Sequence, residues 1–265
     1  MAMSCWSNQQ QDQIMTSNSR IALVTGANQG IGLQIATDLA ASGLTVLLAS
    51  RNLERGKAAA QTIDGDVQPI QLDVTDKASI DAAFAQVEQQ FGRLDILINN
   101  AAISRANSQE SETMHDYIQR SRATLISLDE VRTIWETNVF GVLAVTQAFV
   151  PLLRKSEAAR IVNVSSALGS LTINSTPNPY RATFNPGYGA SKTALNAITL
   201  AFAIDLESEG IKVNAVTPGF TSTALNNYEG TETVQQGAAE AVRVALSSED
   251  PTGTFTGSVK ETYPW

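Results

Sequence analysis

A tyrosine and a lysine lie four positions apart in the stretch GYGASK, from Gly187 to Lys192, with only small residues between them. The segment from Tyr188 to Leu206 has a helical pattern, and residues four apart on a helix share a face. A free phenol has a pKa of about 10, which a neighbouring ammonium lowers because it favours the phenolate. Such a phenol can protonate a carbonyl oxygen as hydride reaches the carbon, or take the proton back. Of the five tyrosines only Tyr188 has a lysine at this spacing, although such a pair often arises by chance.

A glycine-rich stretch, TGANQGIG from Thr25 to Gly32, directly follows the first apolar run and opens a helical pattern. Glycines at these spacings allow a tight turn and let a phosphate approach the N–H groups of a helix N-terminus. The spacing is GxxxGxG and not GxGxxG, so a purely structural turn is the alternative. The position between strand and helix favours a dinucleotide site, formed by Gly26, Asn28, Gln29, Gly30, Ile31 and Gly32.

The residue after the second predicted strand indicates which nicotinamide cofactor is used. That strand ends at Ser50, and Arg51 follows, nineteen positions after Gly32, where NAD-specific folds place an acid. An arginine cannot accept a bond from the ribose 2′-hydroxyl, but it can donate two bonds to a 2′-phosphate. Arg55 adds a second positive charge and Asn28 a hydrogen bond, whereas Glu54 could neutralise the site. Arg51 therefore predicts NADP(H), with a solvated strand-end arginine as the alternative.

A regular alternation of short apolar runs and helical patterns predicts the scaffold that positions these residues. The strand candidates are IALVT (21–25), TVLLAS (45–50), VQPIQL (67–72), LDILIN (94–99), RIVNVS (160–165) and IKVNAVT (211–217). Several contain little polar alternation, which indicates parallel strands covered on both faces. The sequence therefore predicts an α/β fold, a doubly wound parallel sheet of the Rossmann type with helices on both faces. No linker interrupts residues 20–265, which we expect to form a single domain.

Composition excludes several other classes of function. The net charge of −8 without a basic cluster argues against a nucleic-acid or anionic-membrane partner. Cys5 is the only cysteine and His115 the only histidine, so neither a metal site nor a Ser-His-Asp triad is predicted. Residues 1–19 are rich in Gln, Ser and Asn and are expected to be a disordered tail. No apolar run approaches the ~20 residues of a membrane helix, and we expect a cytoplasmic protein.

Two polar segments interrupt the alternation. The first, 104–127, is interpreted as an insertion or a short extra helix beside the sheet. The second, between Ser166 and Tyr188, contains LTINSTPNPYRATFNPG and is interpreted as a loop over the substrate. Its Tyr180 has no lysine at the right spacing and is expected to be a pocket wall.

Nearly the whole chain, from about Ser19 to Trp265, resembles the short-chain dehydrogenase/reductase family, in its compact single-domain branch and closest to the carbonyl reductases. The resemblance rests on the two motifs above and on TNVFG (137–141), RIVNVSS (160–166), SKTALNA (191–197), IKVNAVTPG (211–219) and the final PW. It implies a reversible reduction of a ketone or an aldehyde, with hydride supplied by NADPH. It also implies a homo-oligomer, a dimer or tetramer, packed through the helices at 129–153 and 188–206.

The same resemblance implies a role for each remaining site residue. Ser166 would hydrogen-bond the substrate oxygen, although a Ser-Ser pair by itself also fits simple strand-end hydrogen bonding. Asn138 would help to hold a water that links Lys192 to solvent, and Lys192 would also bond the nicotinamide ribose. Residues in LDV, NNAA and TPGFTST would contact the cofactor, namely Asp73, Val74, Asn100, Ala101, Pro218, Gly219, Thr221 and Thr223. Ala102 replaces a glycine that most members have, and its methyl could crowd the cofactor ribose or the pocket floor.

Two other functions compete with that of a reductase. One is a catalytically silent dinucleotide sensor on the same fold, which the presence of Ser166, Tyr188 and Lys192 argues against. The other is a sugar-nucleotide epimerase, which the short chain without a second domain argues against.

Overall fold

A parallel sheet forms the centre of the computed structural model, which describes residues 19–106, 112–179 and 181–265. Seven strands pair in the order β3-β2-β1-β4-β5-β6-β7. They are β1 Ile21–Val24, β2 Thr45–Ser50, β3 Val67–Gln71, β4 Ile96–Asn99, β5 Arg160–Val164, β6 Lys212–Val216 and β7 Phe255–Thr256. The chain winds outward from β1 in one direction and from β4 in the other, so a crevice lies at the carboxyl ends of these two strands. Residues 1–18 of the predicted tail, which include Cys5, and Tyr180 lie outside the described residues, whereas Ser19, the last residue of that tail, hydrogen-bonds Thr45.

All six predicted strands are present, each within two residues of its expected bounds, and the predicted fold class is confirmed. The seventh strand, Phe255–Thr256, was not predicted, because two residues are too few to form a recognisable apolar run. It is defined by its partners, since Phe255 pairs with Ala215 and Thr256 with Val216.

Helices cover both faces of the sheet. They are α1 Gly30–Ala41, α2 Leu53–Ala60, α3 Lys77–Phe91, α4 Met114–Arg120, α5 Leu128–Trp135, α6 Val142–Leu153, α7 Leu171–Ser175, α8 Tyr188–Asp205 and α9 Val234–Leu246. On one face the core includes Leu97 of β4 and Phe149 of α6. On the other face Val162 of β5 lies in a cluster with Leu39 of α1 and Val244 of α9. Burying one such side chain contributes about 1.5–3 kcal/mol to the free energy of folding. Both clusters therefore stabilise the packing of the helices on the sheet.

The polar segment 104–127 contains a short extra helix, α4. This was one of the two interpretations of that segment from the sequence. Thr113 begins this helix with a capping box, in which its side chain and that of Asp116 each accept the other residue's backbone N–H. Both bonds satisfy N–H groups that the first helical turn leaves free.

Helices α5 and α6 form one continuous run that is interrupted by a π-helical turn at Glu136–Gly141. Over the described residues this run, Leu128–Leu153, is long and apolar enough to cross a membrane by those two measures. The expectation that no apolar stretch reaches this length was therefore wrong. However, 56% of its most apolar window is buried, where the run packs against α3 and α8, as a core helix does.

Candidate active site

Four of the predicted catalytic residues meet at the carboxyl ends of β4 and β5. Tyr188 is the first residue of α8, and its N–H donates to Asn185 Oδ1 at 2.9 Å. This bond satisfies one of the free N–H groups of the first turn and fixes where the helix begins. The role of Asn185 was not predicted, because its contact depends on how the loop before the helix folds back.

The Lys192 ammonium lies beneath the ring of Tyr188. Its Nζ is 5.6 Å from the centre of that ring and donates to Val164 O at 2.7 Å. The side chain is only 2% exposed, and burial lowers the pKa of Lys192 to about 7 because the charged form loses its hydration. The structure therefore places the phenol and the amine on one face of α8, as the spacing predicted.

The pKa of Tyr188 departs from the prediction made from the sequence. Burial raises this pKa to about 12, while a hydrogen bond with the Ser166 side chain acts in the opposite direction. The lysine was expected to lower the phenol pKa, but desolvation dominates, and burial also weakens the charge on Lys192 itself. Tyr188 is consequently protonated at neutral pH, which is the form that can donate a proton.

The two serines that follow β5 have different surroundings. Ser165 is buried, and its hydroxyl donates to Asn196 Oδ1 at 2.6 Å. Ser166 is partly exposed and accepts from Leu168 N at 3.2 Å, and its side chain lies close enough to that of Tyr188 to lower the pKa of the phenol. Only Ser166 is thus placed to share a ligand oxygen with the phenol.

Asn138 lies in the π-helical turn with its side chain fully buried. Its Oδ1 accepts from Ile103 N at 2.9 Å, and its Nδ2 donates to Ile103 O at 2.9 Å and to Ser191 Oγ at 3.0 Å. These bonds join the loop after β4 to α8 beside Lys192. The side chain therefore positions this corner of the site, and the water link to Lys192 stays a prediction.

The glycine loop has the backbone that its composition predicts. Gly26 and Gly30 have positive φ values of 63° and 58°, which side chains other than glycine rarely adopt. A Cβ at Gly32 would lie 2.4 Å from Asn100 Nδ2 and 2.6 Å from Gly26 O. The loop is thus too tightly packed at Gly32 for any side chain.

The first turn of α1 fits the phosphates of a dinucleotide. Its N-cap, Gln29, makes no side-chain hydrogen bond to the turn, and no acidic residue lies within the turn. Neither Gln29 nor an acid in the turn therefore accepts from the N–H groups at the start of α1, and these N–H groups are the donors that bind phosphate in such loops. Asn28, Gly30 and Ile31 are partly exposed around this turn.

Asn100 holds the glycine loop in place. Its Nδ2 donates to Thr25 O at 2.9 Å and to Gly26 O at 3.2 Å, and the backbone N–H groups of Asn100 and Ala101 both donate to Thr25 Oγ1. Asn100 was expected to contact the cofactor, and in the structure its side chain also holds the glycine loop.

Arg51 and Arg55 lie on an open cleft at the carboxyl end of β2. The cleft is lined by Arg51, Asn52, Leu53, Glu54, Arg55 and Gln71. Glu54, which could have neutralised the site, pairs with Lys57 at 2.8 Å. Within the described ranges neither arginine forms an ion pair, so two guanidinium groups are available to a phosphate.

Two of the remaining predicted cofactor residues make local contacts. The Asp73 carboxylate accepts from Thr75 N at 2.9 Å and Thr75 Oγ1 at 2.7 Å, in the turn after β3. Val74 is buried, and its carbonyl oxygen would lie 2.9 Å from a Cβ at Gly141 in the π-helical turn. Both residues shape the rim of the crevice.

The two predicted threonines after β6 lie in different environments. Thr221 is buried and donates to Pro218 O at 2.9 Å, and a Cβ at Gly237 of α9 would meet its hydroxyl. Thr223 lies beside the glycine loop, since its Cγ2 is 3.6 Å from where a Cβ at Gly30 would be. Gly219 has a positive φ of 74° at the turn between β6 and these threonines. Thr223 is therefore the better placed of the two to face a ligand on the loop.

Hydrogen bonds at two places in the segments around the site were not predicted. Ser104 Oγ donates to Leu225 O at 2.7 Å, and Tyr117 OH of α4 donates to Ser104 O at 2.5 Å. On the other side, Trp265 O accepts from Thr172 N and Thr172 Oγ1 of α7. The sequence analysis singled out the segments that contain Ser104, Tyr117 and Thr172, but not these contacts, because each bond depends on how distant parts of the chain fold together.

Comparisons with known proteins agree with this geometry. A family model described as short chain dehydrogenase matches residues 20–234. The short-chain dehydrogenase anuI of Penicillium roqueforti is 38% identical over 85% of this chain and 88% of its own length. The (+)-neomenthol dehydrogenase of Arabidopsis thaliana is 33% identical over 89% and 95%. Among solved structures, salutaridine reductase from Papaver somniferum superposes with a TM-score of 0.74 and 28% identity, covering 89% of this chain and 99% of that one.

Proposed function

We propose that this chain, which belongs to the short-chain dehydrogenase family, reversibly reduces a ketone or an aldehyde to an alcohol with NADPH. Membership of the family makes it an oxidoreductase; the direction, the cofactor and the catalytic residues are our proposal. The observation that carries it is the closeness of both Ser166 and Lys192 to the Tyr188 side chain.

Tyr188 is proposed as the general acid. With its pKa raised to about 12, the phenol holds its proton at neutral pH and can release it to an oxygen that gains negative charge. Ser166 Oγ would donate a second hydrogen bond to that oxygen, and such donors stabilise the transition state more than the substrate. In the reverse direction the same phenol oxygen would accept the proton of the alcohol.

Lys192 would support the proton transfer from beneath the ring. Its pKa of about 7 lets it exist in both protonation states near neutrality, and its charged form would stabilise a phenolate formed after transfer. Asn138 would hold the corner of the site through its bonds to Ile103 and Ser191.

The cofactor site fits NADPH, which when bound supplies hydride to the carbonyl carbon. The glycine loop and the first turn of α1 would hold its pyrophosphate. Arg51 and Arg55 would hold its 2′-phosphate, because both lie on the cleft after β2 without an acidic partner among the described residues.

The substrate is proposed to be a small, largely apolar carbonyl compound. Exposed apolar side chains lie on both segments beside the crevice, with Leu171 on α7 and Phe220 after Gly219. Two similar proteins are a neomenthol dehydrogenase and a salutaridine reductase, and their names support a substrate of this class.

The proposal is tested by initial rates with NADPH and with NADH on a panel of cyclic ketones, aldehydes, diketones and ketoesters. We expect turnover with a higher kcat/KM for NADPH, and no detectable turnover by Tyr188→Phe, which keeps the ring but removes the proton. NADPH binding without turnover on any carbonyl would instead favour the silent sensor.

The cofactor preference is tested separately with Arg51→Asp. This change should lower kcat/KM for NADPH at least tenfold, about 1.4 kcal/mol, because it replaces a cation with an anion at the phosphate. The control is Arg132→Asp, the same charge change at an exposed site on α5. A wild-type preference for NADH would refute the assignment of Arg51.

A further inference from the structure

Three cationic residues lie at the amino ends of the strands, which is the end of the sheet opposite the proposed active site. Arg20 precedes β1, Arg160 is the first residue of β5 and Lys212 is the first residue of β6. Arg160 and Lys212 are direct partners in the parallel register of β5 and β6. Because side chains alternate along strands, register partners lie on the same face of the sheet.

The Arg160 guanidinium is buried, and two of its three nitrogens have no acceptor within the described part of the chain. The residue is only 6% exposed, and the two nitrogens are Nε and Nη1. Arg20 Nε is also buried with no acceptor among the described residues, while its Nη2 donates to Ala245 O at 3.2 Å. Buried polar groups in folded proteins are nearly always satisfied by protein, water or an ion.

The nearby carboxylates are bound by other donors. Asp250 Oδ2 accepts from Arg243 Nη1 at 2.6 Å, and Glu240 accepts from the same arginine at 2.7 and 2.9 Å. Asp95 of the neighbouring strand segment accepts from Ile21 N at 2.8 Å and from other side chains.

Positive charge is therefore in excess around Arg160. Burial and the charge of Arg20 lower the pKa of Arg160, and Asp250 opposes them only as the smallest of the three causes. Lys212 contributes a further cation, whose Nζ donates to the carbonyl oxygens of Ser248 and Asp250. Within the described residues no carboxylate hydrogen-bonds Arg20, Arg160 or Lys212.

We propose that Arg160, together with Arg20, binds one small monovalent anion, of the size of a halide ion or a single carboxylate. An anion would satisfy the free N–H groups of Arg160 and offset two like charges at once. Charge-assisted bonds from a guanidinium are short and strong, and its planar fork suits a carboxylate. Water could accept the same bonds, but it would leave the charges uncompensated.

The site is separate from the proposed active site, because it lies at the amino ends of the strands and the catalytic residues lie at the carboxyl ends. The anion would join the starts of β1 and β5 to the end of α9, where Arg20 contacts Ala245. Its expected effect is on stability and not on turnover.

The crystallographic test uses the whole chain, crystallised and soaked in sodium bromide. We expect an anomalous-scattering peak within hydrogen-bond distance of Arg160 Nε or Nη1. A water peak without anomalous signal at that position would overturn the proposal.

The solution test follows the melting temperature as sodium chloride or sodium acetate is raised, with wild type, Arg160→Met and the matched surface variant Arg132→Met. A bound ion stabilises only the folded form that binds it, so wild type and Arg132→Met should show a saturable rise that Arg160→Met lacks. At the lowest salt Arg160→Met should melt no lower than wild type, because it removes an unpaired buried charge.

The outcomes separate the possibilities. A response to both salts supports the shared site, and a response to acetate alone assigns it to a carboxylate. Identical responses in all three proteins would overturn the proposal, and a bromide peak without any solution effect would mean an adventitious ion only. Should Arg160→Met not fold, Arg20→Met replaces it with the same expected loss.

Discussion

At the scale of single residues, the proposed chemistry depends on two groups that share a face of α8. Burial shifts their pKa values in opposite directions. The pKa of Tyr188 is raised to about 12 and that of Lys192 is lowered to about 7. Both shifts have the same cause, since a buried site disfavours the phenolate and the ammonium alike. The resting pair is thus a protonated phenol over a partly neutral amine, which suits proton donation to a carbonyl oxygen.

A matched pair of serine variants tests the residue-level assignment. Ser166→Ala should lower kcat about 10- to 100-fold, because it removes a donor to the reacting oxygen, with little change in stability. Ser165→Ala should leave kcat nearly unchanged but destabilise the protein by about 1–3 kcal/mol, because it leaves buried Asn196 without this partner. Steady-state kinetics and urea unfolding of both variants provide the measurements.

The reverse pattern, in which Ser165→Ala loses turnover and Ser166→Ala loses stability, would contradict the placement. Equal effects of the two changes on kcat would show that neither serine hydroxyl interacts directly with the substrate, and that both only maintain the backbone at the end of β5.

At the scale of elements, the segment between β5 and α8 is held by hydrogen bonds to Trp265, which packs against β7. Trp265 stacks on Phe255 of β7 with ring centres 5.6 Å apart, and Tyr263 packs against Phe255 as well. The carbonyl oxygen of Trp265 accepts from Thr172 N at 3.2 Å and Thr172 Oγ1 at 2.8 Å. Helix α7 begins five residues after Ser166, so this anchor positions the loop that carries Leu171.

Trp265→Ala is therefore expected to raise KM for the carbonyl substrate several-fold while kcat changes less than about threefold. The loop would lose its anchor, but Tyr188, Lys192 and Ser166 would keep their own contacts. Kinetics with Trp265→Phe, which retains a ring that can stack on Phe255, should show most of the lost affinity restored. An unchanged KM in Trp265→Ala would rule out this positioning role.

At the scale of the whole molecule, apolar side chains are left exposed on the neighbouring helices that the sequence predicted as an interface. Phe140 in the π-helical turn is 51% exposed, and Leu200 and Ile204 of α8 are 39% and 67% exposed. Leu200 and Ile204 are four residues apart and so share a face. Adjacent exposed apolar groups of this kind often mark contacts between subunits, which supports the proposed dimer or tetramer.

Light scattering at micromolar concentration should give a mass that is a multiple of the 28.2 kDa chain. Ile204→Glu should shift the mass towards that of one chain, because it puts charge into an apolar contact. Leu125→Glu, at a residue that is 64% exposed but lies outside both helices, should leave the mass unchanged. A wild-type mass near that of one chain would refute the oligomer.

The sequence by itself determined the features that depend on short stretches of chain. Six strands could be located because buried parallel strands are nearly continuous apolar runs. The glycine loop was identifiable because Gly26, Gly30 and Gly32 occupy positions where a side chain would strain the backbone or clash. The pairing of Tyr188 with Lys192 followed from helical spacing alone.

Only the tertiary structure decided which way the polar side chains face and how their charges respond. Ser165 and Ser166 are identical in type and adjacent, yet one contacts Asn196 and the other Tyr188. Glu54 proved to pair with Lys57, and among the described residues neither Arg51 nor the buried Arg160 forms an ion pair with an acid. The direction of a pKa shift depends on burial and on charges brought together from distant parts of the chain, and spacing along a sequence does not contain either quantity.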